Sequence, residues 1–126
     1  MFTVLIVDGS TEEQRMLSRL VEAQGWCALG ASRGQEALDI VKRGLAQLVL
    51  VEVELEDMDG FEVCRRIRKL STVPVIMVTR RRGEADMLRG FACGADDYVV
   101  KPYSPLELAA RMRAVVKRSE GGHSKR

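Results

Sequence analysis

The fold is decided by the sequence VLIVDG at residues 4–9. Residues 4–7 are continuously apolar and mostly β-branched, a pattern typical of a strand that is buried on both faces. Asp8 ends this run, and Ser10 followed by Glu13 forms a capping box that predicts a helix directly afterwards. We therefore expect a strand and then a helix, which is the repeating unit of a parallel sheet.

The same order of a short apolar run and an amphipathic stretch recurs along the chain. Further strands are predicted at residues 26–31, 48–51, 75–78 and 98–100, and further helices at 35–43, 61–70, 85–92 and from Ser104-Pro105 onward. The first helix is expected to bury Met16, Leu17, Leu20 and Val21 and to end at Gly25. Five buried strands, each followed by a helix, predict right-handed crossovers and a three-layer, doubly wound α/β fold with five helices.

The composition fits one domain with a real core, since the chain has 126 residues and 46% of them are hydrophobic. We predict this domain over residues 1–118 and a flexible linker or tail over residues 119–126. A net charge of +2 gives no reason for the domain itself to bind nucleic acid. No apolar run approaches the length of a membrane span, and no signal peptide is recognisable, so we expect a cytoplasmic protein without membrane contact.

The cysteines and the histidine exclude several kinds of chemistry. The three cysteines, Cys27, Cys64 and Cys93, are widely spaced and form no CxxC pair, which indicates free thiols in a reducing compartment. The only histidine, His123, lies in the polar tail, which argues against a zinc site and against catalysis by a histidine of the folded domain. A signalling or interaction module is favoured over a metabolic enzyme.

Polar residues follow four of the predicted strands, namely Asp8-Gly9, Glu52, Thr79 and Lys101-Pro102. The carboxyl ends of parallel strands meet at one edge of the sheet, so we expect these side chains to lie close together. Two carboxylates, a hydroxyl and an amine suit a site for an anion, a metal or a phosphoryl group. The same groups also form ordinary ion-pair networks, and the chemistry alone leaves both interpretations open.

Four segments of the chain resemble a response-regulator receiver (CheY-like) domain, in the order and spacing of that family. They are VLIVD at residues 4–8, DMDGFEVC at 57–64, VIMVT at 75–79 and GADDYVVKPY at 94–103. The resemblance extends over residues 2–118, and the last segment with the following SPLEL resembles the OmpR/PhoB-type branch. It implies a flavodoxin-like fold with strand order 2-1-3-4-5, and an attached winged-helix DNA-binding domain that this chain does not include.

The resemblance also assigns roles to individual residues. Asp8 matches the first of two acids that hold magnesium, Thr79 and Lys101 match the residues that bind the phosphoryl oxygens, and Tyr98 matches the aromatic residue that switches rotamer. The peptide bond before Pro102 is expected to be cis, as is usual in the family.

Two departures from the family pattern bear directly on phosphorylation. Gly9 stands where the family has the second acid, and Glu52 stands where the family has the phospho-accepting aspartate. Magnesium prefers carboxylate oxygens, so we expect no cofactor, and at best weak magnesium binding at Asp8 and Glu52. Glutamate carries its oxygens about one bond length further out than aspartate, and a misplacement of about 1 Å can slow a reaction ~100-fold.

The glutamate leaves several hypotheses open. In the first hypothesis, Glu52 pairs with Lys101, accepts a hydrogen bond from Thr79 and holds an active-like state without phosphate. In the second, Glu52 is the remnant of a lost site. Control by another ligand is a further alternative. The positive run at residues 80–82 is either a solvated loop or the source of an arginine that reaches Glu52. Glu54 and Glu56 are possible partners of these arginines.

The resemblance further implies a homodimer through the fourth helix, the fifth strand and the fifth helix. The candidate interface residues are Asp96, Asp97, Glu107, Arg111 and Arg118. We expect Asp97 to pair with Arg111 and Asp96 with Arg118, whereas Met87 replaces the basic partner of Glu107. The alternative is that these residues form ordinary salt bridges within one chain.

The sequence therefore favours an atypical receiver domain that controls an attached DNA-binding domain by dimerising, with a sensor kinase as a possible partner. Two alternatives stay open: a receiver that is phosphorylated on Glu52, and a single-domain adaptor that binds a partner protein.

Overall fold

The structure, a computed structural model, describes the backbone of residues 1–124 and the side chains of residues 1–120. The elements follow the order β1 (Thr3–Val7), α1 (Thr11–Ala23), β2 (Cys27–Ala31), α2 (Gly34–Lys42), β3 (Leu48–Val51), α3 (Gly60–Leu70), β4 (Val75–Thr79), α4 (Glu84–Ala92), β5 (Asp97–Val100) and α5 (Pro105–Ser124). The predicted alternation of strands and helices is confirmed, with bounds that differ by one or two residues except at the end of α5.

All neighbouring strands pair in parallel, in the order β2-β1-β3-β4-β5. This confirms the doubly wound α/β fold with five strands and five helices. Val7 pairs with Val51, so β1 and β3 end side by side at the centre of the sheet. The residues that follow them, Asp8 and Glu52, are therefore neighbours.

Alternate residues of the strands pack into two separate cores. Leu5, Val49 and Met77 face a core formed with α2 and α3, whereas Ile6 and Leu50 face a core formed with α1 and α5. Every residue of β3 and β4 is buried, which explains why these strands are apolar without alternation.

The first helix differs from the prediction at Met16, and Leu20 is only half-buried against the core formed with α1 and α5. Ser10 caps α1 by accepting a hydrogen bond from the Glu13 N–H, and Leu17 and Val21 are buried as expected. Met16, however, is 47% exposed, so its predicted burial is wrong. Successive residues of a helix lie about 100° apart, and with Leu17 directed into the core Met16 lies at the edge of the buried face.

The last helix is longer than predicted. It continues through Ser119 to Ser124, so the stretch expected to be a flexible linker begins as part of α5. No proline follows Pro105, and Lys117, Arg118 and Glu120 favour helix. The domain boundary at residue 118 stays a prediction, and the His123 side chain and residues 125–126 lie outside the described residues. Along residues 1–124, no helix combines the length and the apolar character needed to cross a bilayer.

Candidate functional site

The carboxyl edge of the sheet brings the predicted polar residues together. Asp8, Glu52 and Lys101 directly follow β1, β3 and β5, and Thr79 is the last residue of β4. All four side chains are buried, which is unusual for three charged groups. We call Asp8, Glu13, Glu52 and Lys101 the acidic end of the site, and Thr79, Arg81 and Tyr98 the tyrosine end.

Lys101 is the centre of the acidic end. Its Nζ lies 2.8 Å from Asp8 Oδ2 and 3.0 Å from Glu52 Oε1, which confirms the predicted contact between Glu52 and Lys101. Burial lowers the pKa of Lys101, but the hydrogen bonds to Asp8 and Glu52 outweigh burial and raise that pKa above its ordinary value. The ammonium group is therefore charged and neutralises part of two buried carboxylates.

The second carboxylate oxygen of Glu52 is also occupied. Oε2 accepts hydrogen bonds from the N–H groups of Val53 at 2.7 Å and Glu54 at 3.4 Å. The start of α3 lies close to the main chain of Glu52, so that a Cβ at Gly60 would overlap the carbonyl oxygen of Glu52. Glu52 thus forms hydrogen bonds to the backbone of the β3–α3 loop through one carboxylate oxygen and binds Lys101 through the other.

Glu13 belongs to the site, although the sequence pattern predicts only a capping role for it. Its Oε1 lies 3.4 Å from Lys101 Nζ, and this buried oxygen makes no hydrogen bond within the described residues. In a complete capping box, the Glu13 carboxylate would accept a hydrogen bond from the Ser10 N–H. Here the Ser10 N–H donates to Asp8 Oδ1 at 2.9 Å instead. The signal in the sequence was its place in the first turn of α1, directly after the strand that carries Asp8.

Gly9 leaves room for the side chain that the family pattern would have there. A Cβ at this position would meet only the carbonyl oxygen of Ser32, at 3.9 Å. An open pocket of about 280 Å³ lies here, lined by Asp8, Gly9 and Glu52 among others.

The residues present do not fit magnesium. Both Asp8 and Glu52 are directed at the Lys101 ammonium, and Gly9 offers no ligand. In the described part of the chain, no group of three or more His, Cys, Asp or Glu side chains is arranged to hold a metal ion.

The tyrosine end is organised around the main chain of one loop residue, Arg81. Thr79 Oγ1 accepts a hydrogen bond from the Arg81 N–H at 3.2 Å, and the Tyr98 hydroxyl donates to the Arg81 carbonyl at 2.6 Å. Tyr98 is 5% exposed, and burial, with a smaller effect from Asp86, raises its pKa. The expected hydrogen bond between Thr79 and Glu52 is not formed among the described residues.

The arginine run has three different environments. The Arg81 guanidinium lies 3.3 Å from Asp86 and 3.8 Å from Glu54, whereas Arg82 donates to the Lys101 carbonyl at 3.4 Å. Arg80 has neither a hydrogen bond nor an ion pair within the described residues, and none of the three bonds to Glu52. The expected pairing of Glu54 with the run is present.

Glu56 bonds elsewhere, and the expected cis bond is found. Glu56 pairs with Arg33 at 2.7 Å, because the β3–α3 loop carries it toward α2 instead of toward the arginine run. The peptide bond between Lys101 and Pro102 is cis, as expected.

Four of the five residues predicted for a dimer interface are bonded within the chain. Arg111 lies 3.0 Å from Asp97 and 3.0 Å from Glu107, and these hydrogen bonds raise the pKa of Arg111. Asp96 bonds to Arg68 at 3.0 Å and not to Arg118, which is exposed on α5. Large apolar side chains are also exposed on α4 and α5, with Leu88 at 61% and Leu106 at 84%.

Comparisons with known proteins agree with this fold. Residues 4–113 match the family described as response regulator receiver domain. The chain therefore belongs to the response regulator receiver family. Within it, the chain is 43% identical over 118 residues to the transcriptional regulatory protein YvrH of Bacillus subtilis, covering 93% of this chain and 50% of YvrH.

Further relatives give the same picture. The sensory transduction protein RegX3 of Mycolicibacterium smegmatis is 44% identical, with coverage of 94% of this chain and 52% of RegX3. A two-component response regulator from Clostridium difficile superposes with a TM-score of 0.89 at 28% identity, covering 94% of this chain and 98% of that one. The chain spans about half the length of the curated relatives it matches.

Proposed function

We propose that this chain is an atypical receiver domain that adopts its signalling conformation without being phosphorylated. The observation that supports this best is the Lys101 ammonium, which the family uses to bind a phosphoryl group and which Glu52 already holds at 3.0 Å. Glu52 occupies the acceptor position and supplies the negative charge there permanently. It brings one charge and two oxygens, whereas a phosphoryl group brings nearly two charges and three acceptor oxygens.

Three features argue against ordinary phosphorylation of Glu52. Both carboxylate oxygens are engaged, one with Lys101 and one with the backbone of the β3–α3 loop. Gly9 removes one magnesium ligand, and the remaining acids are neutralised by Lys101. An incoming phosphodonor would have to break this network and would meet an oxygen displaced from the usual position, with a ~100-fold loss for about 1 Å.

The output of such a domain is a homodimer. Arg111 and Asp97 lie at the junction of β5 and α5, and exposed apolar side chains flank them on α4 and α5. In a symmetric dimer the Asp97–Arg111 pair would be exchanged or shared between the two chains. The named relatives are a transcriptional regulatory protein and a sensory transduction protein about twice as long as this chain. We infer that a DNA-binding domain follows in the whole cytoplasmic protein and that a sensor kinase is a candidate partner.

A phosphodonor experiment tests the proposal. The wild-type domain and the double variant Gly9→Asp/Glu52→Asp are incubated with acetyl phosphate and Mg²⁺, and their intact masses are measured. Wild type should be unchanged, whereas the double variant regains both family acids in a site with room for them and should gain about 80 Da. A stoichiometric gain in wild type that is lost in Glu52→Gln would instead establish a phosphorylated glutamate.

Calorimetry addresses the metal separately. Titration with Mg²⁺ should give no saturable heat for wild type in the low millimolar range, because Lys101 holds both remaining acids. A sub-millimolar site in wild type would contradict this account of the acidic end.

A further inference from the structure

Tyr98 is held inward by a hydrogen bond to the loop that follows β4. The main chain of Arg81 makes both of these polar contacts at the tyrosine end, since its N–H donates to Thr79 Oγ1 at 3.2 Å and its carbonyl accepts from the Tyr98 hydroxyl at 2.6 Å. The position of the Arg81 main chain therefore decides whether the Tyr98 hydroxyl has this hydrogen-bond partner.

The side chain of Arg81 fixes this main chain to two other elements. Its guanidinium lies 3.3 Å from Asp86 in the first turn of α4 and 3.8 Å from Glu54 in the β3–α3 loop. Arg80 has no such partner among the described residues, and Arg82 bonds to the Lys101 carbonyl. Arg81 alone in this run connects the loop to both α4 and the β3–α3 loop.

The same contacts connect the two ends of the site. Glu52 Oε2 orders the backbone of Val53 and Glu54, and the Glu54 side chain approaches Arg81. Side-chain contacts therefore connect Glu52 to Tyr98 through Glu54 and Arg81, whereas Thr79 makes no hydrogen bond to Glu52 among the described residues.

We propose that Arg81 is the positioning residue that keeps Tyr98 buried in the absence of phosphate. The inference rests on the proposed function, because it names the residue that replaces the ordering effect of a phosphoryl group. It assigns the holding role to the guanidinium, through Asp86 and Glu54, and the direct contact with Tyr98 to the main chain.

Gly90 supplies an independent way to displace Tyr98. A Cβ at Gly90 would lie 2.9 Å from Tyr98 Cδ2, so only glycine leaves space for the inward ring. The φ angle of Gly90 is not positive, so Gly90→Ala adds bulk without backbone strain. This variant gives a reference signal for a Tyr98 ring that has been forced from its place.

The test uses ¹⁹F NMR of the domain labelled with 3-fluorotyrosine. Tyr98 and Tyr103 are the only tyrosines, so Tyr103→Phe assigns the two resonances. Arg81→Gln should lower the ratio of inward to displaced Tyr98 about two- to fivefold, as expected for the loss of partly exposed ion pairs. Arg81→Glu places like charges together and should lower the ratio about tenfold, toward the signal of Gly90→Ala. Arg81→Lys should retain most of the wild-type signal.

Arg80→Gln and Arg80→Glu are the matched controls, since they change the same charges one residue away. They should leave the Tyr98 resonance in place. The proposal is overturned if the Arg81 variants leave Tyr98 unchanged while Gly90→Ala moves it, or if the Arg80 variants move it equally. If the Tyr103 resonance shows that Arg81→Glu unfolds the domain, the Tyr98 resonance of Arg81→Gln decides whether the proposal holds. A wild-type domain that is monomeric or phosphorylated would refute the proposed function, yet the Tyr98 signal would still judge Arg81.

Discussion

The two ends of the site have kept different parts of the receiver design. At the acidic end, glycine stands at position 9 and glutamate at position 52, where the family resemblance would place two aspartate-type acids, and under the proposed function this end does not accept a phosphoryl group. The tyrosine end keeps the threonine and the aromatic residue, with Tyr98 buried and hydrogen-bonded. The proposed function therefore implies that a receiver can lose the input chemistry while other contacts keep its switch assembled.

The two ends are also stabilised by different means. A buried ammonium between buried carboxylates holds the acidic end, where each charge depends on its partner. A loop peptide and partly exposed ion pairs hold the tyrosine end, where single contacts are worth less. Substitutions at the acidic end should therefore affect folding stability most, and those at the tyrosine end should mainly affect conformation.

The largest effect is expected for Lys101→Met. This change leaves Asp8 and Glu52 buried without their shared cation, and should lower the free energy of unfolding by about 3–5 kcal/mol in urea denaturation. Lys117→Met removes an exposed lysine of α5 and should change that free energy by less than about 0.5 kcal/mol. Equal losses in the two variants would show that the acidic end is not held by Lys101.

Gly60→Ala should have the next largest effect, because the new methyl group overlaps the carbonyl oxygen of Glu52 and the backbone must move. We expect a loss of about 1–3 kcal/mol in unfolding free energy. Gly83→Ala is the matched control, since a Cβ there meets nothing within 4 Å. If both variants are equally stable, Glu52 is not tightly placed by the start of α3.

Tyr98→Phe tests the tyrosine end by removing one hydroxyl. Loss of the hydrogen bond to Arg81 should cost about 1 kcal/mol at pH 7, whereas Tyr103→Phe should cost less. Burial raises the pKa of Tyr98 in the folded state. The folded state therefore favours the neutral Tyr98 hydroxyl. The stability that this preference contributes is complete below the unfolded-state pKa near 10 and is lost as the pH rises through the folded-state pKa. Tyr98→Phe should therefore weaken the decline in stability at alkaline pH. An unchanged decline would place the Tyr98 hydroxyl in solvent.

The smallest effect is expected where Arg111 and Asp97 meet. Asp97→Arg and Arg111→Glu should each dimerise less well than wild type, and an equimolar mixture should recover dimer about three- to fivefold, as the mixed pair restores both contacts across a symmetric interface. Sedimentation equilibrium measures this. No recovery on mixing would mean that the pair acts only within one chain, as in the isolated domain.

The acidic end could be predicted largely from the sequence, and the tyrosine end could not. Asp8, Glu52 and Lys101 each follow an apolar strand, and parallel strands must bring such residues to one edge. The contact of Glu52 with Lys101 follows from that topology and from opposite charge. Glu13 was missed because its capping role explained its position equally well.

Loop contacts depend on conformations that no periodic pattern encodes. The sequence could not show that Thr79 would accept from the Arg81 N–H instead of bonding to Glu52, or which of three consecutive arginines would find acids. Asp96 illustrates the same limit, since its bonds to Arg68 and to the Val75 N–H depend on how α3 and β4 pack.

The central claim is that the Glu52–Lys101 contact takes the place of phosphorylation, and the dimerisation constant of the phosphate-free domain tests it most directly. Wild type, Glu52→Gln and the exposed control Glu56→Gln are compared by sedimentation equilibrium. Glu52→Gln keeps the shape of the side chain but removes the charge that binds Lys101. The account predicts a wild-type dimer at high micromolar concentration, about tenfold weaker association for Glu52→Gln and no change for Glu56→Gln. A monomeric wild type, or equal constants for wild type and Glu52→Gln, would contradict it.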